Sequence, residues 1–491
     1  MLKNGFLNFE MALDTQKLNR NKMSQKNNRR DFIKKTGLAV AGMGIFGATS
    51  SKTIQGPFET DYQQVFNMSG YAAPAIPTVR VGIIGLGGRG TGTTVRLTHI
   101  EGVEIKALCD LLPEAVDQAV ERLRRETLSS FSPDTYSGKE DEWKKLCDRD
   151  DIDLVIVNTP WDLHAPQAIY AMEQGKHVAT EVPIATTIED CWELVKTSER
   201  TKQHCMMLSN PCYRDFDMMA LGMARDGFFG EIIHAEGAYI HDLRRLNFSK
   251  SQYQDMWRLR QNARRNGNLY PTHGLGTICN ILDINCGDQM SSLVSVSGND
   301  FMMGSMATEL AAEDPFYEEF ADKGFRGNMN ISIICTQKGK TIMLQHDVTS
   351  PRPGVRFNLV SGTKGVAQAR PPRVATSHDG WFSEEEYAAV EEKYSPEISR
   401  QVGDLARQVG GHGGMDTMMM WRLIDCLRNG IPLDMSVYDG VLWSAMAPLS
   451  EWSVANGSKP VAIPDFTSGS WETNERGMDI ELHRGATTGI I

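Results

Sequence analysis

The sequence predicts an α/β fold, with an N-terminal doubly wound parallel sheet followed by an α+β domain that contains a large antiparallel sheet. Two patterns support this prediction. From residue 79 to residue 212, short apolar strands alternate with helices, as in a parallel sheet with helical crossovers. Beyond about residue 230 the predicted strands are longer and few helices separate them, which is typical of an antiparallel sheet.

A glycine-rich turn follows the first predicted strand, which spans residues 79–84. Residues 85–90 read G-x-G-x-x-G, with Gly85 for a tight turn, Gly87 for close approach of a pyrophosphate and Gly90 for close packing of helix on strand. A helix over 91–100 and a second strand that ends at Asp110, about 20 residues beyond Gly90, complete the dinucleotide-binding fingerprint of a Rossmann domain. The helix N-terminus would hold the phosphates. Asp110 would accept hydrogen bonds from the ribose, which favours NAD over NADP.

The remaining elements of the first domain alternate in the same way. The predicted helices are 113–126, 165–173 and 187–202, and the predicted strands are 154–158, 177–181 and 205–208. In the second domain the predicted strands are 232–239, 293–297, 330–336, 341–346 and 355–362. Two late helices, 416–427 and 437–456, are expected to pack near the first domain.

Charge and cysteine usage narrow the function classes. The formal net charge is −11 and no long basic run follows the N-terminal region, which argues against nucleic acid or an anionic membrane as the main partner. The nine cysteines are scattered, with no C-x-x-C pair and no zinc-ligand spacing. We therefore expect reduced thiols and no metal site.

The N-terminus has the features of a twin-arginine export signal. The sequence R-R-D-F-I-K at residues 29–34 precedes a weakly apolar, Gly- and Ala-rich stretch that is too short for a membrane anchor. The twin-arginine machinery exports folded proteins, so the protein would reach the periplasm with its cofactor bound. The expected segments are a signal (1–50), an N-terminal arm (51–78), a cofactor-binding domain (79–212), a substrate and oligomerisation domain (213–465) and a tail (466–491).

Two further motifs follow predicted strands: T-P-W-D-L-H at residues 159–164 and E-V-P at 181–183. Ligands of open α/β sheets bind at the carboxyl ends of the strands, so both motifs should face the nicotinamide. The order of these motifs resembles the glucose–fructose oxidoreductase, inositol dehydrogenase and rhizopine-catabolism family. Dehydrogenases of that family carry E-K-P, whose lysine moves a proton, whereas Val182 cannot. Their D-x-x-x-H motif is also replaced here, by the sequence Tyr270-Pro271-Thr272-His273.

A more specific resemblance rests on E-V-P, on the W-R pair at 257–258, on Y-P-T-H-G at 270–274 and on G-G-H-G-G-M-D at 410–416. Together these sequences resemble glycoside hydrolase family 109, a family of NAD-dependent α-N-acetylgalactosaminidases. The resemblance implies NAD contacts from Gly88, Arg89, Asp110, Trp161, His164, Glu181, Val182 and Asn210. It implies a sugar site formed by Arg258, Tyr270, Pro271, Thr272 and His273, with Tyr213 as a further contact and His412 nearby.

Two points stay open at this stage. Tyr239 could take the role given to Tyr213. Gly354 stands where the family stretch continues with a substrate-contacting tyrosine, which leaves the exact sugar and its aglycone undecided.

The predicted site contains one acid, Glu181, whereas a simple glycosidase uses two carboxylates. The resemblance instead implies oxidation of sugar C3, removal of the C2 proton, elimination of the C1 group, addition of water and re-reduction by a tightly bound, recycled NAD. We expect His273 and Tyr270 to handle protons, and Arg258 and Tyr213 to position the sugar. A periplasmic sugar oxidoreductase and a non-catalytic sugar-binding protein are the alternatives. The resemblance also implies a homodimer that pairs through the open sheet.

Overall fold

The computed structural model describes residues 57–58, 60–126, 132–353 and 358–491. The twin-arginine segment and Gly354 lie outside these residues. Within the described part of the chain, no helix is long and apolar enough to cross a membrane.

The N-terminal sheet has six parallel strands in the order β3-β2-β1-β4-β5-β6. The strands are β1 (Val79–Ile84), β2 (Val103–Cys109), β3 (Asp134–Tyr136), β4 (Leu154–Val157), β5 (His177–Thr180) and β6 (Cys205–Met207). The helices are α1 (Gly88–Leu97), α2 (Pro113–Glu126), α3 (Glu142–Cys147), α4 (His164–Glu173) and α5 (Ile188–Thr201). The predicted doubly wound sheet is confirmed.

Helix α1 begins inside the glycine motif, three residues before its predicted start. Gly90 therefore lies in the first turn of the helix, directly against the end of β1. A Cβ atom at Gly90 would lie 1.8 Å from the carbonyl oxygen of Gly85. Only glycine lets the helix pack this closely on the turn.

The second sheet has eight strands in the order β13-β12-β11-β7-β10-β9-β8-β14. The strands are β7 (Ile232–Ile240), β8 (Met290–Ser297), β9 (Asn330–Thr336), β10 (Thr341–Asp347), β11 (Asn358–Gly362), β12 (Val366–Ala369), β13 (Pro372–Ala375) and β14 (Val461–Ala462). The sheet is mostly antiparallel, as predicted, but β7 and β10 pair in parallel. The β8-β9-β10 meander places β10 beside β7 with the same direction, which the strand pattern alone could not reveal.

The second domain contains more helices than the sequence indicated. They are α6 (Asp215–Arg225), α7 (Arg244–Asn247), α8 (Trp257–Arg264), α9 (Thr272–Ile281), α10 (Met303–Glu313), α11 (Glu318–Ala321), α12 (Glu384–Tyr394), α13 (Glu397–Val409), α14 (Met415–Asn429) and α15 (Val437–Ala455). The long α14 and α15 match the two late helices that the sequence predicted. Helix α12 has no buried residue, so the sequence lacks the apolar periodicity that would predict a helix there. Its start is stabilised by a capping box.

Two glycines bring α9 into contact with the central strand β7. A Cβ at Gly237 would lie 2.2 Å from the carbonyl oxygen of Gly274. The backbone of α9 therefore rests directly on the sheet, and the start of α9 lies close to the end of β7. This contact places the Y-P-T-H sequence beside Tyr239.

Candidate active site

The turn between β1 and α1 has room for a nucleotide backbone. Gly85 adopts a φ of +88°, and its amide donates to the carbonyl of Cys109 at the end of β2. A Cβ at Gly87 or Gly88 would meet no heavy atom within 4 Å, so this face of the turn is open. The unpaired N–H groups at the start of α1 lie at this open face, as a pyrophosphate site requires.

Asp110 is held at the adjacent strand end. Its Oδ2 accepts from the amide of Leu86 at 2.6 Å, and its Oδ1 accepts from the amide of Leu112 at 2.9 Å. These bonds fix the carboxylate beside the glycine turn, where it can still accept from ribose hydroxyls. The turn and Asp110 together fit NAD.

Two amide side chains near this turn have buried atoms without a partner among the described residues. Asn158 lacks a partner at both Oδ1 and Nδ2, and Asn210 lacks one at Oδ1. Buried polar atoms are nearly always hydrogen-bonded in folded proteins, so these atoms fit contacts to a bound ligand. The sequence predicted Asn210 but not Asn158, which ends the third predicted strand and lies against the backbone turn at Gly85.

His164 lies between the loops that follow β4 and β5 and contacts both. Its Nδ1 and Nε2 each lie 2.7 Å from a backbone carbonyl, of Pro183 and of Thr159 respectively. Complete burial lowers the pKa of His164, despite these two carbonyls. Both ring nitrogens thus face backbone carbonyls, and a neutral ring donates a hydrogen bond to one of the two. Val182 is also buried, one residue before Pro183.

Arg89 joins the glycine turn to the E-V-P segment and to the second domain. Its Nε donates to Glu181, and its Nη1 donates to Asp416 at the start of α14. Burial alone would lower the pKa of Arg89, but the charges of Glu181 and Asp416 raise it. Asn210 and His412 also hydrogen-bond Asp416, at 2.6 Å and 2.9 Å. Three predicted site residues, Arg89, Asn210 and His412, thus bind this carboxylate, which ends the G-G-H-G-G-M-D motif but to which no role was assigned from the sequence.

An aromatic cluster forms where α9 meets the end of β7. The ring centroids of Tyr239 and Tyr270 are 4.8 Å apart, and His273 lies 5.4 Å from the first and 4.7 Å from the second. Trp161 stacks on Tyr270 at 5.8 Å. Trp161 belongs to the predicted cofactor set and Tyr270 to the predicted sugar set, so the two sets adjoin at this pair.

Arg258 lies over this cluster. Its guanidinium carbon is 5.2 Å from the ring centroid of Trp161 and 5.0 Å from that of Tyr270, and Nη1 donates to the hydroxyl of Tyr253 at 3.0 Å. In the described part of the chain, Arg258 forms no ion pair with a carboxylate. A buried cation stacked on aromatic rings is suited to orient hydroxyl or carbonyl oxygens of a sugar and to stabilise negative charge on them.

The remaining predicted sugar contacts lie in two places. Pro271 and Thr272 form the start of α9, and the buried Thr272 hydroxyl has no partner among the described residues. Tyr213 lies outside the aromatic cluster, because its hydroxyl donates to the buried Asp434 at 2.9 Å. The structure instead places Tyr239, the alternative that the sequence left open, against Tyr270 and His273. We therefore replace Tyr213 by Tyr239 in the candidate sugar site.

No group of three metal-ligating side chains is close enough to hold a metal ion within the residues that the structure describes. The chemistry available in the described site is that of two histidines, tyrosines, an arginine and a nucleotide pocket.

Comparison with family models matches both domains. Residues 213–473 match the glycosyl hydrolase 109 C-terminal domain, and residues 79–209 match the oxidoreductase family with an NAD-binding Rossmann fold. An α-N-acetylgalactosaminidase of Bacteroides fragilis is 48% identical over 410 residues, which cover 82% of this chain and 95% of the relative. A glycosyl hydrolase family 109 protein of Shewanella pealeana is 42% identical over 461 residues, which cover 92% of this chain and 98% of the relative.

Solved structures share the fold at low sequence identity. A levoglucosan dehydrogenase in complex with NADH and levoglucosan is 19% identical, with a TM-score of 0.58 over 79% of this chain and 100% of that chain. A scyllo-inositol dehydrogenase of Lactobacillus casei with bound NAD(H) and scyllo-inositol is 15% identical, with a TM-score of 0.55 over 79% and 99%. On the sequence matches and the site together, the chain belongs to glycosyl hydrolase family 109 and is an NAD-dependent glycoside hydrolase.

Proposed function

We propose that this enzyme releases terminal α-linked N-acetylgalactosamine. The observation that carries the proposal is the cluster of Tyr239, Tyr270 and His273. Trp161 stacks on Tyr270 and Arg258 lies over both rings, at the junction of the predicted sugar and cofactor sites. The activity named for the Bacteroides fragilis relative supports the choice of sugar. Glu181 is bound by Arg89, so it is poorly placed to act as one of two catalytic carboxylates.

We propose that NAD is bound tightly and recycled in each turnover. Gly85, Gly87 and Gly90 form its phosphate turn and Asp110 its ribose contact, as described above. When bound there, NAD supplies a reversible hydride acceptor for C3 of the sugar, which makes the C2 proton acidic. The protein must then move protons at C3 and C2 and help the C1 substituent to leave.

His273 and Tyr270 are the proposed proton-handling groups at C3 and C2. Both are buried, Tyr270 just before α9 and His273 in its first turn, and Trp161 stacks on Tyr270. A sugar bound at this cluster would reach them without bulk water. Arg258 would stabilise the negative charge that grows on the C3 oxygen as the C2 proton leaves.

His412 is the proposed proton-handling group at the C1 substituent. It stands at the tip of the G-G-H-G-G loop with about half of its side chain exposed, and its Nδ1 is bound to Asp416. The opposite nitrogen, Nε2, is therefore directed away from Asp416 and can exchange a proton with the leaving oxygen and later with water.

We also propose where the enzyme works and in which oligomeric state. The twin-arginine sequence supports export to the periplasm by the twin-arginine machinery, with NAD already bound. The outer face of the second sheet supports a homodimer, because Val296, Ile331 and Ile333 are 55%, 39% and 42% exposed on adjacent strands.

The test is hydrolysis of 4-nitrophenyl α-N-acetylgalactosaminide in deuterated water by enzyme as purified, without added NAD. We expect release of nitrophenol, deuterium at C2 of the sugar and no accumulation of NADH. Sugar oxidation with accumulating NADH and no nitrophenol would indicate an oxidoreductase, and binding without turnover would indicate a sugar-binding protein. An unlabelled C2 together with no isotope effect from a C2-deuterated substrate would refute the elimination route.

A further inference from the structure

The buried carboxylate of Asp416 connects the G-G-H-G-G loop, residues 410–414, to the glycine turn, residues 85–90. The side chain of Asp416 is 1% exposed. Its Oδ2 accepts from Nη1 of Arg89 and from Nδ1 of His412, and its Oδ1 accepts from Nδ2 of Asn210. These three partners come from the glycine turn, from the loop before α14 and from the segment after β6, so Asp416 fixes their relative positions.

We propose that Asp416 is a positioning residue that holds His412 in one tautomer and one orientation, with Nε2 directed at the reacting bond. The proposal rests on the proposed role of His412 in moving the leaving-group proton. Asp416 itself need not touch the substrate.

The tautomer follows from the charge of Asp416. Burial alone would raise the pKa of Asp416, but the hydrogen bond from His412 and the charge of Arg89 hold it far below the ordinary range. An ionised carboxylate only accepts hydrogen bonds, so Nδ1 of His412 must carry the proton and donate it. Neutral His412 then has its lone pair on Nε2 and can act as a base there, and the protonated ring can act as an acid.

The glycines around His412 allow this arrangement. Residues 410–414 all have positive φ values, between +49° and +99°, and His412 is the non-glycine residue among them. A Cβ at Gly411 would lie 2.7 Å from Cβ of Asp416, so glycine is needed for the loop to approach the carboxylate. A histidine held at a φ of +49° is strained, and such strain persists where the surrounding contacts fix it.

Neighbouring arginines balance the negative charge of Asp416. Arg89 forms an ion pair with it, Nη2 of Arg96 lies 3.8 Å from Oδ2, and Glu181 shares Arg89 from the other side. Two backbone bonds also support the loop, from the amides of Asp416 and Gly414 to the carbonyl of Gly411. The loop can therefore keep its path when the charge at 416 is removed.

The test variant is Asp416→Asn. The uncharged asparagine accepts hydrogen bonds less strongly than the carboxylate, and its amide oxygen is shared between Arg89 and His412. It therefore holds the Nδ1–H tautomer of His412 less firmly, and the share of the Nε2–H tautomer should rise. The matched control is Asp425→Asn on the same helix. Asp425 is a buried carboxylate that pairs with Arg422 and accepts from the amides of residues 486–488, outside the candidate site.

Each protein is prepared as the NAD-bound enzyme with ¹⁵N-labelled histidine, and His412→Ala identifies the His412 signals. We expect protonated Nδ1 in the native enzyme and in Asp425→Asn, and a larger share of protonated Nε2 in Asp416→Asn. For a methyl α-N-acetylgalactosaminide, whose leaving group needs a proton, kcat should fall about 10²-fold in Asp416→Asn. In the His412→Ala background, Asp416→Asn should cause no further loss, because both changes remove one function.

Three outcomes separate the possibilities. An unchanged tautomer in Asp416→Asn would overturn the positioning proposal. An equal loss of kcat in the presence and absence of His412 would also overturn it, by showing that Asp416 acts through Arg89 or the fold. A changed tautomer of His412 with an unchanged kcat would support positioning by Asp416 but refute the proposed role of His412. If Asp416→Asn fails to fold, Asp416→Glu keeps the charge for Arg89 but displaces His412, and kcat should fall while NAD content stays; unchanged kcat would overturn the proposal.

Discussion

Tyr213 and Tyr239 are the two candidates for a tyrosine contact to the sugar, and changing each to Phe distinguishes between them. Tyr213 and Tyr239 are both buried, and in each the change to Phe removes a single hydroxyl. The structure predicts that Tyr239→Phe lowers activity with little effect on stability. It predicts the reverse for Tyr213→Phe.

The magnitudes follow from the partners of each hydroxyl. The Tyr213 hydroxyl donates to Asp434, a buried carboxylate that also accepts from Nε of Arg422 at 3.1 Å. Loss of a buried hydrogen bond to a charged group costs about 1.5–3 kcal/mol, so Tyr213→Phe should lower the free energy of unfolding by that amount. The Tyr239 hydroxyl has a long contact with His241, at 3.3 Å, and it stands beside His273 and Tyr270. Losing one hydrogen bond to the sugar should lower kcat/KM about tenfold.

The assay measures kcat/KM, NAD content and urea unfolding on one preparation of each variant. The values of kcat/KM are expressed per folded, NAD-bound molecule, so that loss of stability is not read as loss of activity. Tyr213→Phe with normal stability and a tenfold lower kcat/KM, together with a fully active Tyr239→Phe, would refute this reading of the site and restore Tyr213 to it.

Three further predictions concern the proposed proton-transfer residue His273, the exposed face of the second sheet and stability in acid. His273→Ala should lower turnover by roughly 10²-fold or more while NAD content and Tm stay nearly unchanged; near-normal turnover would remove it from the mechanism. Ile333→Asp should convert a dimer into monomers in sedimentation experiments with activity retained, and a native monomer would refute the interface. Burial lowers the pKa of His177 to about 4 and that of His204 to about 3. Their stabilising contribution is therefore complete above about pH 6.5 and is lost as the pH falls towards 4, by about 2 kcal/mol per histidine between pH 7 and pH 5. Urea unfolding of native protein and of His204→Phe at both pH values tests this, and an equal pH dependence of the two would contradict it.

The cofactor domain could be predicted from the sequence because its signals are local. A glycine turn needs residues at fixed spacing, and a buried parallel strand is a short apolar run, as in β1 and β4. The structure changes the start of α1 by three residues and adds β3 and α3 between α2 and β4. Helix boundaries depend on packing, and short elements carry too few residues for a pattern.

The candidate site could be predicted only in part, because its contacts join distant segments. Asp416 lies 327 positions from Arg89 and 206 from Asn210, and no local pattern indicates that they meet. Tyr239 and His346 face each other because β7 and β10 pair in parallel, which the sequence did not reveal. By contrast, Tyr270 and His273 are three residues apart where α9 begins, so their proximity could be predicted from the sequence.

Val182 stands where the related dehydrogenases carry the lysine of E-K-P, and the proposal assigns proton transfer to histidines of the second domain instead. In this chain the E-V-P segment has no side chain suited to exchange a proton, because Val182 is apolar and buried and Glu181 is bound by Arg89. A simple dehydrogenase needs one proton-transfer site, next to the hydroxyl that is oxidised. A glycosidase that works by oxidation and elimination needs proton transfer at two places, around C2 and C3 and at the leaving oxygen. His273 on α9 and His412 before α14 lie on separate elements of the second domain, and they are the two groups to which the proposal assigns these transfers. The loss of the lysine at position 182 therefore fits the proposed reaction, in which both proton transfers are assigned to histidines of the second domain.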